Sequence, residues 1–365
     1  MTTNTPYRAI FCDLLTDSTI DILPLRDVTV DDYIGKAGSL TGTIPVPDAD
    51  TAARVRRIEE GRTSVYLQRG HDLWWGGIIW TSTLHSDDQG ILTLEIQAAT
   101  FESYARRRCI RADRSFSGDQ LDIARALWAD LQAAPGGDIG VSPGTETSGQ
   151  QRAVAYRDGD ETVYQEAIEA LAAVDNGFEQ RISVYRDPAT GARVRRLQLG
   201  SPAIRIGTTD LVLDRPGSIL AYSFPHDATR GGTTARTRGA SVNDNQAAES
   251  RPQCSTEQVA GDLLAAGYPR IDLTSDHTDV TDKNTLNSLA RAELAAARGA
   301  VVIPEITIRL DHLVPPALLG RTARLRITDE WFAEGLDARY RIIGVKVSPA
   351  QRGRPDTADL YLEEV

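Results

Sequence analysis

The sequence predicts a mainly β fold with α+β parts: two similar antiparallel β-barrel domains, an intervening α+β domain and a helical insertion in the second barrel. Short alternating apolar segments dominate both ends of the chain, helical spacing of apolar residues occurs between them, and the two ends share an ordered series of sequence matches. The predicted domains are residues 1–108 for the first barrel, 109–215 for the α+β domain, 216–250 plus 300–365 for the second barrel, and 251–299 for the insertion.

The N-terminal block alternates in the manner of antiparallel strands, as in residues 91–96. One short helix interrupts these strands. Its N-cap is predicted at Asp48 or Asp50, and Gly61 is predicted to end it. We therefore expect a strand-rich barrel that contains a single helix.

The next segment predicts two helices followed by a hairpin. The first helix is capped by Ser117 and ends at Pro135, with apolar residues at helical spacing between them. The second begins near Glu161 and ends at Asn176. Two alternating strands then flank a turn at residues 187–191, which completes a small α+β domain.

The remaining chain passes from strand to helix and back to strand. Residues 219–224 alternate like a strand, and a capping box at residues 255–258 predicts the start of a helix. Asp282 is predicted to open another helix that ends at Gly299. Strands resume over residues 301–365, so the helical piece is interpreted as an insertion into the second barrel.

An internal repeat relates the two end blocks. Each block contains an Ile-Pro pair followed after 17 residues by Gly-Arg-Thr, from 44 to 61 and from 303 to 320. Residues 75–79 then match 342–346, and residues 91–95 match 359–363, in the same order. Duplication of one barrel explains this order, and coincidence between short strand sequences is the alternative.

Composition and charge exclude several classes of protein. The 365-residue chain has a formal net charge of −11, whereas proteins that coat nucleic acid are strongly basic. No apolar stretch reaches the roughly 20 residues that span a bilayer, and the N-terminus lacks a secretory signal. Cys12, Cys109 and Cys254 fit neither a disulfide framework nor a zinc pattern. We expect a protein made in the cytosol, with no cofactor, no metal and no membrane insertion.

Some segments contain residue types that enzymes and ion sites use. Residues 140–144 read Gly-Val-Ser-Pro-Gly, like a nucleophile elbow, but the proline predicts a loop in place of the required helix. Residues 272–282 gather four aspartates and a histidine without the spacing of an EF-hand, so helix capping and turn formation are favoured. The three arginines at 106–108 are interpreted as a strand end or a subunit contact. We predict no catalytic residue.

Three tryptophans and the repeat residues are the candidate core or interface positions. Trp74 and Trp80 are expected on one face of their strand and Trp75 on the other. Core packing, a subunit interface and a sugar-stacking platform are the alternatives for these rings, in decreasing order of preference. The repeat contributes six further candidates: Ile44, Pro45, Gly61, Ile303, Pro304 and Gly320.

The order of these elements resembles the central hub proteins of phage baseplates and tail tips over essentially the whole chain. The resemblance is carried by residues 7–25, 72–79, 218–224 and 340–347. It is closest to the minor tail proteins of actinobacterial siphophages, and it extends to the N-terminal hub part of tail-associated lysins.

The resemblance implies a structural virion protein without enzymatic activity. It implies a homotrimer whose six alike barrels form a ring at the tail tip, between the hexameric tail tube or distal tail protein and the tip spike or fibres. This ring surrounds a channel for the tape-measure protein and for DNA in transit. Because the chain stops at Val365, it resembles the hub alone. A tail-associated cell-wall hydrolase and a host-polysaccharide-binding tail module are the alternatives.

Overall fold

The computed structural model describes residues 7–241, 251–278, 280–298, 301–350 and 355–365, which divide into two compact units. The first unit comprises the described residues of Met1–Ile168, Phe178–Tyr222 and Glu305–Val365. The second comprises those of Glu169–Gly177 and Ser223–Pro304.

Five α-helices lie in the described part of the chain. They are α1 Ala49–Val55, α2 Gln120–Ala133, α3 Tyr164–Ala172, α4 Gly261–Ala265 and α5 Lys283–Ala296. The predicted N-caps Asp48 and Asp282 are confirmed, since each carboxylate accepts a hydrogen bond from a backbone N–H of the first turn. The prediction of Ser117 as a cap is wrong. Its ladder pairing with Ala153 keeps the chain extended as far as Asp119, which caps α2 instead.

The strands are spread over both units and include several very short ones. In chain order they are β1 Tyr7–Asp13, β2 Thr19–Leu23, β3 Arg26–Tyr33, β4 Ser39–Val46, β5 Thr63–Arg69, β6 Asp72–Ser86, β7 Leu92–Thr100, β8 Arg114–Asp119, β9 Val141–Ser142, β10 Gln151–Tyr156, β11 Glu179–Arg186, β12 Arg193–Gly200, β13 Leu211–Arg215, β14 Ile219–Ser223, β15 His226–Asp227, β16 Thr234–Ser241, β17 Pro252–Cys254, β18 Gln258–Val259, β19 Asp272–Asp276, β20 Val301–Val302, β21 Glu305–Arg309, β22 Thr322–Ile327, β23 Leu336–Ser348 and β24 Thr357–Glu364. The mainly β prediction is therefore confirmed.

Thirteen strands form one sheet, in the order β14-β21-β24-β23-β3-β4-β7-β6-β5-β1-β2, with β22 beside β23 and β13 beside β22. The N-terminal and C-terminal strands meet where β3 pairs antiparallel with β23, from Val30 opposite Val347 to Tyr33 opposite Gly344. Strands β1–β7 are termed the first half below, and β13, β14 and β21–β24 the second half.

The two halves share one strand order. The series β3-β4-β7-β6-β5-β1 in the first half has the same order as β14-β21-β24-β23-β22-β13 in the second. The last pair differs in direction, because β1 runs antiparallel to β5 whereas β13 runs parallel to β22. The long strands β6 and β23 are each bulged, directly after Ile79 and Ile342 respectively. Gly61 donates its N–H to Ile79 at 2.7 Å, and Gly320 donates to Ile342 at 2.8 Å. Both glycines have positive φ, 75° and 85°, so the same local geometry occurs at matching points.

The structure corrects three details of the predicted first and second barrels. Gly61 does not end α1, which stops at Val55. The bulges align Ile79 with Ile342, whereas the sequence matches had aligned residue 75 with Ile342. Alternating strand sequences match one another in several registers, and the position of the bulge decides between them. Closed barrels are also wrong for the described strands. The outer edge of β3 pairs with β23 instead of returning to β2, and the sheet stays open.

Most of the predicted α+β segment lies in the same compact unit as the sheet, whereas Glu169–Gly177 belongs to the second unit. Helix α2 buries Leu127 and Leu131 completely, as the helical spacing predicted. The hairpin β11–β12 pairs in register from Glu179 opposite Gly200 to Arg186 opposite Arg193, around the predicted turn. This hairpin contacts the sheet directly, because the N–H of Gly35 donates to the carbonyl of Gln180 at 2.9 Å.

The larger part of the second unit, Ser223–Pro304, is inserted between β14 and β21, where the first half has only residues 34–38 between β3 and β4. It contains a sheet in which β16 pairs with β17, β18 and β19. The prediction of a purely helical insertion over 251–299 is wrong, because β17, β18 and β19 fall in that range. These strands are short and polar. Ser255, predicted to cap a helix, instead accepts a hydrogen bond from Thr237 of β16 at 3.0 Å.

The pairing of the two halves predicts a sensitive position at Gly344. Tyr33 and Tyr361 flank it on the neighbouring strands with ring centroids 5.7 Å apart, and a Cβ at Gly344 would lie 2.4 Å from Tyr33 Cδ1. Gly344→Ala is expected to destabilise the protein by about 1–3 kcal/mol and to lower the Tm in thermal denaturation. Gly261→Ala is the control, since no atom lies within 4 Å of its Cβ position. An equal loss in both variants would contradict the prediction.

Candidate functional site

The end of β6 forms an open strand edge in the first unit. Strand β5 covers β6 as far as Ile78, and β7 follows its other side to Ser86. In the described part of the chain, no strand pairs with the outer edge of residues 81–86. Leu84 is 65% exposed, and Ile91 in the following turn is 56% exposed. An open edge with exposed apolar side chains is a template for pairing with another strand.

A second open edge lies at one end of the sheet order, on β14. Strand β14 pairs with β21 and with no other described strand. Ile219 is buried at 4% exposure, whereas Leu220 is 41% exposed and Ala221 is also exposed. Besides the terminal strands β2 and β13, which pair only with β1 and β22, the sheet therefore presents these two open edges, one in each half.

The three tryptophans lie in or against the core of the first half. Trp74 and Trp75 are 5% and 3% exposed. Trp74 packs edge-on against Tyr7 with ring centroids 5.3 Å apart, and the Trp75 indole donates to the carbonyl of Asp31 at 2.9 Å. Trp80 is half-buried, and its indole donates to Ser103 at 2.9 Å. The buried rings of Trp74 and Trp75 cannot form an exposed sugar-stacking surface.

The six repeat candidates do not converge on one site. Ile44 is fully buried and Pro45 is half-buried, within β4. Ile303 and Pro304 immediately precede β21, so the two Ile-Pro pairs occupy different positions along their strands. Gly61 is exposed and Gly320 is buried. Only the two glycines share a local backbone role.

A buried arginine connects the hairpin to the first half. Arg195 of β12 is 4% exposed and donates to the Tyr66 hydroxyl at 2.7 Å and to Asp17 at 2.9 Å. Its guanidinium also lies 4.4 Å from the centre of the Phe101 ring. Burial raises the pKa of Tyr66, so this hydroxyl stays protonated and donates to Asp17 at 2.9 Å. The contact fixes β12 against β5 and the turn after β1.

A second buried arginine connects the hairpin to the second half. Arg341 of β23 is 3% exposed and donates through two nitrogens to the Glu179 carboxylate of β11. It also donates to Glu363 and to the carbonyl of Ile204. Burial acts to lower the pKa of Arg341, but its hydrogen bonds to the two glutamates raise it overall. The arginine is therefore held charged at the junction.

A third cluster lies between the hairpin and the junction strand β3. Arg181 of β11 is 1% exposed, 3.5 Å from Asp32 of β3, and donates to the carbonyl of Pro316 at 3.2 Å. The nearby Glu102 accepts from the N–H of Ile182, and its second oxygen has no hydrogen-bond partner among the described residues. Burial, and then the charge of Asp32, raise the pKa of Glu102 to about 7. Burial likewise raises the pKa of Asp32.

The segments that carried enzyme-like residues have structural contacts. Ser142 lies in β9, its hydroxyl donates to the carbonyl of Arg195 at 3.1 Å, and the chain after it is a loop, as predicted. Asp276 pairs with Arg238 at 2.5 Å. Asp279 lies outside the described residues. Within the described ranges, no group of three metal-ligating side chains is present.

The arginine-rich segment near residue 108 lines a groove together with acidic partners. Arg111 pairs with Glu161 at 2.9 Å and Arg114 with Asp130 at 2.8 Å. The guanidinium of Arg107 lies 5.2 Å from the centre of the Trp80 ring. Much of the positive charge is therefore already balanced by protein groups. No helix in the described part of the chain is long and apolar enough to cross a membrane.

The whole chain aligns with solved structures of tail proteins. The tail protein from Neisseria meningitidis MC58 aligns with 13% identity and a TM-score of 0.59, covering 98% of this chain and 96% of that chain. The 43 kDa tail protein of prophage MuSo2 from Shewanella oneidensis aligns with 11% identity and a TM-score of 0.58, covering 98% of each chain. The chain has the fold of phage tail proteins.

The tail-protein fold also occurs in a chain of the Francisella PdpA–VgrG complex. That alignment has 9% identity and a TM-score of 0.52, and covers 99% of this chain and 58% of that chain. No protein-family model and no curated protein matches the sequence. The similarity therefore lies in the fold, at low sequence identity.

The sequence patterns did not reveal the open edges or the buried arginines. Arg195 shares a strand face with the buried Leu197 and Leu199, which was the available signal. Arg181 and Arg341 each stand next to a buried isoleucine, so alternation places them on the opposite strand face and gave no signal. Arginine is frequent throughout this chain, so the inward positions did not stand out. The open edge of residues 81–86 depends on which strands pair, and strand pairing is not encoded in local periodicity.

The buried contact of Arg341 predicts a large effect on stability. Arg341→Met leaves the Glu179 carboxylate without its cation, and the free energy of unfolding is expected to fall by about 3 kcal/mol in denaturant titration. Arg324→Met is the matched control, since Arg324 makes a two-nitrogen contact with Asp337 on the exposed surface. Solvent screens the Arg324–Asp337 pair, so losing this pair is expected to leave the midpoint of the denaturant titration almost unchanged. Similar losses in both variants would refute a special role for Arg341.

The raised pKa of Glu102 predicts a pH-dependent contribution to stability. The folded chain retains a proton on Glu102 up to about pH 7, whereas the unfolded chain releases it near the ordinary value of 4.5. The contribution that protonated Glu102 makes to the free energy of unfolding is fully present below pH 4.5 and is lost as the pH rises through 7. Glu102→Gln, a neutral mimic, is therefore expected to gain stability relative to the wild type between pH 5 and 8, measured by denaturant titration.

The control for Glu102→Gln is Asp337→Asn. Hydrogen bonding to Arg324 lowers the pKa of Asp337. The difference in the free energy of unfolding between Asp337→Asn and the wild type is therefore expected to change only below about pH 4. If the free energies of unfolding of Glu102→Gln and of the wild type differ by a constant amount from pH 5 to 8, Glu102 is ionised in the folded protein across this range.

Proposed function

We propose that the chain is the ring-forming hub at the distal end of a long phage tail, or of a related phage-derived particle. It joins the hexameric tail tube or distal tail protein to the tip spike or fibres. It surrounds the channel for the tape-measure protein and for DNA in transit. The observation that carries this proposal is the repeated strand order of the two halves, found in a fold shared with phage tail proteins over 98% of the chain.

The repeat explains how such a hub connects different symmetries. Three copies contribute six halves with the same strand order, which suits a hexameric tube on one side. The chain itself repeats only three times around the ring, because the inserted second unit occurs in one half and not in the other. This suits a threefold spike or fibre on the opposite side.

The charge of the chain suits a channel for DNA. A net charge of −11 makes tight binding of a polyphosphate unfavourable, so DNA passing the hub is not retained by neutralised phosphates. The hub proposal is a structural role in which no residue is assigned to catalysis. Of the alternatives, the polysaccharide-binding module is weakened because the Trp74 and Trp75 rings are buried.

The similarity to a chain of a PdpA–VgrG complex supports the second form of the proposal, a phage-derived particle. In such a particle the hub has the same position between a tube and a spike. The two forms share the ring and its partners, and differ in whether the tube delivers DNA.

The proposal predicts a trimer in solution. Light scattering of the purified chain is expected to give three times 39.7 kDa, about 119 kDa, with ring-shaped particles in negative-stain images. A single-chain mass that persists at high concentration and in the presence of purified tails would contradict the hub. A single chain that also cleaves cell-wall material would favour the hydrolase.

A further inference from the structure

The ladder between β3 and β23 shows how one half of the sheet adds a strand to the other. Strand β22 pairs with β23 up to Arg341, and β3 takes over the same side after the bulge, from Gly344 to Val347. Strand β23 therefore has two partners in succession along one side. The strand that comes second belongs to the other half.

Strand β6 has the first of these partners and lacks the second. Strand β5 pairs with it up to Ile78, as β22 pairs with β23. Beyond the bulge, residues 81–86 have only β7, on the other side, as a described partner. Counting from the bulges places Leu84 at the position of Val347. Val347 is 2% exposed under β3, whereas Leu84 is 65% exposed.

Strand β14 is the counterpart of β3 and has the complementary open edge. It pairs with β21 as β3 pairs with β4, and no described strand lies on its outer side. Within one chain, β14 and residues 81–86 of β6 do not pair with each other in the described structure. A second copy of the chain supplies the missing strand to each edge.

We propose that β14 of one copy pairs antiparallel with residues 81–86 of β6 in the next copy, repeating between chains the β3–β23 ladder within the chain. The proposal rests on the hub function and names the surface that closes its ring. Because the two edges differ, the contact is heterologous, and each copy binds the next one head to tail. The ring closes when the rotations between successive copies add up to a full turn. The contact covers the exposed Leu84 and Leu220, which otherwise lie on open edges.

A charge on the open edge tests this pairing. Leu84→Lys is expected to convert the ring into single chains in light scattering, with an unchanged circular dichroism spectrum because the side chain is exposed in the single chain. Leu15→Lys is the matched control, since Leu15 is 52% exposed in the β1–β2 turn and away from both edges. That variant is expected to keep the mass of the wild type.

Paired cysteines test the direction of the strands. Thr83→Cys is combined in turn with a cysteine at each residue of β14, in a background carrying Cys109→Ser and Cys254→Ser. Directly opposed residues on paired strands have Cβ atoms about 4.5–5.5 Å apart, close enough for a disulfide after small adjustments. Antiparallel pairing predicts that moving the cysteine from Thr83 to Thr81 shifts the best partner two residues toward the C-terminus of β14.

The outcomes separate this inference from the hub function. Reducible, disulfide-linked species that stop at three chains, with the predicted shift in partner, support the strand pairing. A wild-type ring that forms no disulfide with any pair and persists in Leu84→Lys overturns the pairing while the hub function stands. A wild-type chain that never assembles, alone or on tails, overturns the hub function and the pairing with it.

Discussion

The antiparallel ladder between β3 and β23 is the constraint on which the first unit depends. It converts two repeated sets of strands into one sheet, because it joins an open edge of the first half to the part of β23 that β22 leaves free. The same ladder prevents the first half from closing on itself. A fold built from a repeat thereby keeps the edge of β14 and the edge of residues 81–86 of β6 open among the described strands.

The buried arginines hold the hairpin to both sides of this ladder. Arg195 contacts the first half, Arg341 belongs to the second half, and Arg181 reaches groups from both. Burying charge costs solvation, and an apolar contact of equal volume gives similar or greater stability. What charged groups with fixed hydrogen-bond directions add is geometry, since each guanidinium group accepts only a narrow range of positions for its partners.

Sequence patterns predicted the features that depend on a few adjacent residues. Asp48 and Asp282 cap helices as expected, and the two glycines of the repeat mark equivalent backbone turns. Patterns failed where a distant partner decides the outcome: Ser117 is held in a strand by the ladder with Ala153, and the register of the repeat depends on bulges. The candidate edges are products of the topology as a whole, so no local signal identified them.

Two halves with the same strand order in one chain can differ in their connections. In the first half, residues 34–38 connect β3 to β4, and in the second half the equivalent connection holds most of the second unit, with a core of its own. Had identical single-repeat chains formed the proposed ring, every position would carry the same insertion. Because two repeats share one chain, they diverge independently. In the proposed ring, the sheet strands would keep near-sixfold equivalence toward the tube, while the inserted units would impose threefold symmetry on what they contact.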